Sequence, residues 1–204
     1  MAEHDPLDGK TDEELAREAR TGSRRSFEEL ASRYKRRLFV YVRSRVGSDE
    51  DAEDLVQETF LKLYRNMSAY DPAYRFSTWL YTSAGRLAID AYRKGAAARA
   101  HLSETRVEDA PDPAAKAERA AGGSGTTGAW DAARALGGDR FRVLWLRYGE
   151  DLSVAEIAAV MGRSQVAVRV LLHRARTRLA GRLEPEAEAT ARPRAGAPRA
   201  AARD

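Results

Sequence analysis

The residues with chemical potential in this chain are aromatics and cations. Between Tyr74 and Lys94, the rings Tyr74, Phe76, Trp79, Tyr81 and Tyr92 interleave with Arg75, Arg86, Arg93 and Lys94. Unpaired bases stack on rings while guanidinium groups hold phosphates, so the mixture suits single-stranded nucleic acid. Helical spacing makes Phe76 and Trp79 core residues first, which leaves Tyr74, Tyr81 and the arginines as the better contact candidates. A second basic set, His173, Arg174, Arg176 and Arg178, ends a later helical pattern and suits a phosphate backbone. Covalent chemistry has no comparable foothold. The chain has no cysteine, which excludes disulfides, thiolate zinc sites and cysteine nucleophiles. His4, His101 and His173 are scattered, against a metal cluster, and no nucleophile–base set or phosphate loop is present. The expectation is a binding protein, not an enzyme, with no metal and no cofactor.

The elements that must carry these residues read as helices throughout. Thr11 and Glu14 have the spacing of a capping box at the start of a first helix. A second is expected from Ser26, with Phe27, Leu30, Tyr34, Leu38, Tyr41 and Val42 on one face. A third runs from about Asp49 to Asn66, with acidic residues in its first turn, where they favour the positive end of the helix dipole. Its buried face is Ala52, Leu55, Val56, Phe60, Leu63 and Met67. Asp54, Gln57, Glu58, Leu61 and Arg65 fall on the opposite side. Leu61 stands inside a polar stripe. Pattern alone favours a solvated face, because lone exposed apolar residues are common; the sharper alternative is a docking stripe for a basic partner helix. A loop with Asp71-Pro72 then leads to a helix from Phe76 to about Lys94.

Periodicity disappears from Gly95 to Gly128, where Pro111, Pro113 and the run GGSGTTG mark a flexible linker. Helices resume near 129–136 and 139–148. Ser153 with Glu156 forms a capping box, Gly162 makes a turn, and Ser164 caps a basic helix reaching about Leu183. A short helix, a glycine turn and a longer basic helix make a helix-turn-helix. The division is therefore a disordered lead over 1–10, a helical domain over 11–95, a linker over 96–128, a helix-turn-helix domain over 129–183 and a disordered tail over 184–204. The fold class is all-α: two small helical domains on a flexible tether. The net charge of +4 over 204 residues permits nucleic acid binding without demanding it. The polar start MAEHDPLDGK lacks the apolar core of a signal peptide. No apolar run approaches the roughly 20 residues that span a bilayer. A cytoplasmic location is expected, without membrane insertion.

Two stretches resemble one family. DAEDLVQETFLKLY, FSTWLY and AIDAYRK are similar to the second conserved region of bacterial sigma factors of the extracytoplasmic-function type. LSVAEIAAVMGRSQ through LLHRAR resembles their fourth region. The resemblance covers roughly residues 11–94 and 129–183. It implies an alternative sigma factor that binds both large subunits of core RNA polymerase and directs initiation at particular promoters. It also reverses the preference at the polar stripe: Asp54, Gln57, Glu58, Leu61 and Arg65 become the polymerase-docking face. By the same resemblance the loop from Asn66 to Tyr74, with Tyr70, captures an unstacked base. Arg75, Trp79, Tyr81, Thr82, Arg86 and Arg93 join Tyr74 in minus-10 recognition and melting. Ser164, Gln165, Arg169, His173 and Arg174 meet the minus-35 element in a major groove, where Gln suits adenine and Arg suits guanine. Members of the family are often held inactive by an anti-sigma protein, which makes one a further implied partner.

The chain departs from the family pattern in two places. After Trp79-Leu80-Tyr81 it reads Thr82, Ser83, Ala84, Gly85, Arg86, so Arg86 stands where the family has an Asn that reads the minus-10 element. On the recognition helix, Ala167, Val170 and Leu171 replace more polar residues, and Val166 and Val170 fall on the DNA side. These departures keep open a degenerate sigma relative acting through protein contacts; a second rival, a helix-turn-helix regulator acting without core polymerase, accounts for residues 129–183 and leaves 51–94 unexplained.

Overall fold

The computed structural model describes residues 7, 9–46, 48–102 and 126–191. Among these there are eight α-helices and no strand. Helix α1 (Asp12–Arg20) starts at the expected capping box: the Thr11 hydroxyl accepts from the Glu14 amide, and the Glu14 carboxylate accepts from the Thr11 amide. Helix α2 (Arg24–Arg43) begins two residues before the expected start, because Ser23 is its cap. Ser26 is instead buried and donates to Glu18 Oε2 at 2.6 Å, which joins α2 to α1. The predicted apolar face of α2 is buried in full.

Helix α3 (Asp49–Arg65) is capped by Ser48 and carries its three acidic residues in the first turn. It buries Ala52, Leu55, Val56 and Leu63, as well as Thr59, whose hydroxyl donates to the Leu55 carbonyl at 2.6 Å. A 3₁₀ turn over Met67–Ala69 and a loop lead to α4 (Phe76–Leu102). That helix overruns its expected end near Lys94, because the run GAAARAHL is dominated by alanine, the strongest helix former. Residues 103–125 of the expected linker, 1–6 and 8 of the lead and 192–204 of the tail lie outside the described residues.

Helices α1 to α4 pack as one bundle. The second half comprises α5 (Thr126–Arg134), α6 (Gly138–Leu144), a π-helical turn (Trp145–Gly149), α7 (Val154–Met161) and α8 (Gln165–Ala191). Helix α5 starts inside the expected linker. Helix α8 continues past the expected boundary at Glu184 to Ala191, running through Pro185 against that residue's helix-breaking tendency. The turn between α7 and α8 has the predicted form, with Gly162 in the left-handed region at φ +63°. Helix α4 packs directly on α7, so the two halves meet along a seam.

Candidate docking and nucleic-acid interfaces

The outward stripe of α3 is where helical arithmetic puts it. Asp54, Gln57, Glu58, Leu61 and Arg65 are all exposed, and Leu61 leaves 54% of its surface to solvent. Leu61 is not stranded there. With Gln57 and Tyr64 it edges an apolar groove of about 720 Å³ between α2 and α3, floored by Phe27, Val56 and Phe60. The Phe27 ring lies 5.1 Å from that of Tyr64 and 6.4 Å from that of Phe60. Arg24, Glu28 and Lys35 stand on its α2 side. Sequence reasoning missed these α2 residues, since Phe27 reads simply as core. Tyr64 was within reach, lying three residues after Leu61 on the same helical surface.

The loop after α3 is organised by rings. Tyr70 is buried, stacks near Phe76 (6.1 Å) and Trp79 (5.4 Å), and donates from its hydroxyl to the Tyr74 carbonyl at 2.7 Å. Burial, then the charge of Glu13, pushes its pKa up to about 12. Tyr70 is therefore corrected from a base contact to a support for the loop. Tyr74, held by that bond, is 64% exposed. Asn66 caps α3 and donates to the Lys62 carbonyl, while Asp71 accepts from the Ala73 amide. Trp79 is half-buried against Tyr70 and Phe76.

Tyr81 is covered in this arrangement. It is fully buried against Tyr41, close to Trp145 and Glu150 of the second half, and desolvation drives its pKa well up. In this arrangement no base can reach it. Thr82 is half-buried and its hydroxyl donates back to the Thr78 carbonyl. Arg86, Ile89 and Arg93 remain exposed. On α8, Ser164, Gln165, Arg169, His173 and Arg174 are all exposed, while Val168, Leu172 and Ala175 hold the helix to its neighbours. Ser164 caps the helix by accepting from the Ala167 amide. Val166 and Val170 are large exposed apolar residues on the same outer side.

The seam between the halves carries polar contacts that had no sequence signal, because their partners lie far apart in the chain. Arg37 on α2 grips the Glu150 carboxylate with two donors, at 3.1 and 2.6 Å, and also reaches the Gly149 carbonyl. Arg75 donates to the carbonyl of Asp151, a non-glycine residue in the left-handed region at φ +50°. Thr78 donates to Glu156 at 3.0 Å. Burial raises the pKa of Glu150, although Tyr81 and Arg37 work in the other direction. Burial also opposes ionisation of Glu156, but the Ser153 hydroxyl and amide, with Thr78, outweigh it and hold that pKa low.

Gly85 takes its meaning from the same seam. A Cβ there would stand 3.4 Å from Arg45 Nη1 and 3.5 Å from the Val160 carbonyl. The departure from the family pattern at Gly85 thus coincides with a close approach of α4 to α7. Arg93 and Arg174, expected on two separate DNA surfaces, line one shared cleft.

An all-helical bundle followed by a helix-turn-helix, with an open groove on α3, matches known proteins in both halves. Residues 30–98 match the family described as Sigma-70 region 2, and residues 130–179 match Sigma-70, region 4. The ECF RNA polymerase sigma factor BldN of Streptomyces coelicolor is 33% identical over 175 residues, spanning 85% of this chain and 66% of BldN. The RNA polymerase sigma factor CarQ of Myxococcus xanthus is 34% identical over 155 residues, 76% of this chain and 87% of CarQ. Among solved structures, CnrH in complex with the cytosolic domain of CnrY superposes with a TM-score of 0.57 at 27% identity, covering 85% of this chain and 97% of CnrH. The chain belongs to the ECF RNA polymerase sigma factors.

Proposed function

We propose that this chain is an alternative sigma factor that joins core RNA polymerase and directs it to particular promoters. The observation that carries the reading is Leu61, exposed at the edge of an apolar groove on α3 in a chain of this family. The groove, with Asp54, Gln57, Glu58 and Arg65 beside it, is the core-docking surface. Tyr74 at its exposed loop, with Asn66 and Arg75 nearby, meets an unpaired base of the minus-10 element. Thr82, Arg86 and Arg93 follow the strand, and Trp79 braces the loop from behind. Ser164, Gln165, Arg169, His173 and Arg174 read the minus-35 element as duplex.

Such a protein acts by binding. Strand opening needs the single strand held more tightly than the duplex, and stacking plus phosphate contacts supply that difference. It works where core polymerase works, in the bacterial cytoplasm. A protein inhibitor of the anti-sigma kind is a further proposed partner; CnrH is solved in complex with the cytosolic domain of CnrY. A helix-turn-helix regulator acting alone accounts for residues 130–179 but leaves the match over 30–98 without a purpose.

The test is reconstitution with purified core polymerase on a genomic promoter library, with transcript starts mapped. Co-elution with core and starts at a shared two-part sequence are expected. No association and no specific transcript would overturn the reading. Association without specific transcripts would leave a relative that acts through protein contacts.

A further inference from the structure

Beside the seam lies a second cleft of about 660 Å³, separate from the α3 groove. Arg45 in the turn after α2 and Arg93 on α4 line it from the first half. Arg140 and Arg142 on α6 and Arg174 on α8 line it from the second. Asp139 is the single carboxylate in the lining, and it is already shared between Arg142 and Arg163. We propose that this cleft binds a compact polyanion carrying several phosphate groups, and that such a ligand holds the two halves closed.

Three observations lead there. The first is charge: five arginines, one just after α2 and four on α4, α6 and α8, line a volume in the range of small-ligand sites. Arg45 already donates to the Gly85 carbonyl at 3.1 Å, which leaves further donors on its fork. The second is an unmet donor. Arg142 keeps only 12% of its side-chain surface exposed, and its buried Nε has no hydrogen-bond partner. Burial and the neighbouring charges of Arg45 and Arg163 pull its pKa down to about 10. Its Nη2 pairs with Asp139, but that single carboxylate is shared with Arg163 and leaves the surrounding positive charge largely unbalanced, which favours a further anion in the cleft. Arginine forks also match phosphate oxygens in pairs.

The third is location. The cations face one another across the two halves, so their repulsion opposes closure in the empty cleft. A ligand that bridges them binds the closed arrangement better than the open one, and by linkage it shifts the population toward closure. Arg93 and Arg174 cannot serve this ligand and promoter phosphates together. A bound polyanion therefore competes with promoter DNA, while the α3 groove stays free for core polymerase.

The experiment titrates inorganic tripolyphosphate into the full chain by calorimetry at physiological salt, without polymerase or promoter. Fluorophores on α1 and α8 report the distance between the halves. We expect one saturable site per chain, orthophosphate weaker by about tenfold or more, and, in the Arg37→Ala chain whose halves stand apart, a shorter distance on binding. Arg140→Gln, at an exposed position, should weaken tripolyphosphate by about tenfold with the helical spectrum unchanged. Arg36→Gln, outside the cleft, should not. Arg37→Ala, which loosens the seam, should weaken binding although Arg37 does not line the cleft. No binding, many weak sites, equal losses in the Arg140 and Arg36 variants, or binding to the Arg37→Ala chain without a change in its distance would overturn the proposal. Because no polymerase or promoter enters the titration, that failure would leave the sigma-factor reading intact.

Discussion

Helices α3 and α4 each present a stripe that the sequence marks for contact, and the structure treats the two oppositely. The α3 stripe is open along its whole length, with a groove beside it. The α4 face is interrupted: Tyr81 and Gly85 are covered at the seam, Thr82 is half-covered, and only Arg86, Ile89 and Arg93 stay outside. Both helices are amphipathic, so local pattern does not separate them. What separates them is the second half of the chain, which leans on α4 through α7 and leaves α3 alone. In this arrangement the proposed polymerase surface is ready, while part of the proposed minus-10 surface has to be uncovered. On the proposed reading, the seam opens before the covered part of α4 can meet promoter DNA.

The largest expected effect comes from removing the grip on Glu150. Breaking a buried ion pair costs about 3–5 kcal/mol, because one charge is left without its partner. Arg37 is 39% exposed, and solvent screening brings the expectation for Arg37→Ala down to about 2–3 kcal/mol of closure. Small-angle scattering or an interdomain distance probe should show the halves apart. An unchanged distance would mean that the α4–α7 packing alone holds the seam. Glu150→Gln should stay closed, since a neutral group of the same shape suits the buried site.

Next in size is Leu61→Arg. A central apolar anchor at an interface is worth about 2 kcal/mol, so affinity for core polymerase should fall roughly thirtyfold. Thermal stability and the distance between halves should not change, because Leu61 is exposed. If core affinity survives the substitution, the contrast between the two helices loses its functional side.

The acid dependence of closure is smaller and has a definite sign. Glu150 has a raised pKa in the closed state and an ordinary one near 4.5 when exposed, with Arg37, Tyr81 and Arg75 as the facing groups. The closed state then holds more protons than the open state between those two values. Closure should be firmest below the ordinary value and weaken as pH rises through the raised one. The distance probe followed from pH 7 downward checks this, and the Glu150→Gln variant should give a flat profile. A trend in the opposite direction would show that the Arg37 charge outweighs burial.

The smallest effect is a gain. Gly85→Ala adds a methyl at ordinary van der Waals distance from Arg45 and Val160 and improves helix propensity by about 0.5–1 kcal/mol. The melting temperature should rise by a few degrees. A lower value would show that the α4–α7 approach has no room for a Cβ.

Much of this was legible in advance, and the reasons differ by residue. The capping boxes at Thr11 and Ser153 and the turn at Gly162 follow from local backbone chemistry, which needs no tertiary context. The exposed stripe of α3 follows from a period of 3.6 residues. The burial of Tyr70 and Tyr81 was not legible, because aromatic residues among arginines carry the same pattern whether they stack on bases or on one another. The far end of α4 was not legible because an alanine-rich run without an apolar face is as compatible with a helix as with a linker, and that of α8 because Pro185 reads as a helix stop.

The sequence by itself determined the helices, their caps, the two motif-bearing halves and the family to which they belong, because these rest on periodicity and on contiguous residue strings. The tertiary structure alone decided which contact faces are open. It paired Arg37 with Glu150, Thr78 with Glu156, and Arg93 with Arg174 in one cleft. Those partners come from opposite halves of the chain, and no periodicity links residues so far apart. Only the packing of α7 on α4 brings them within reach.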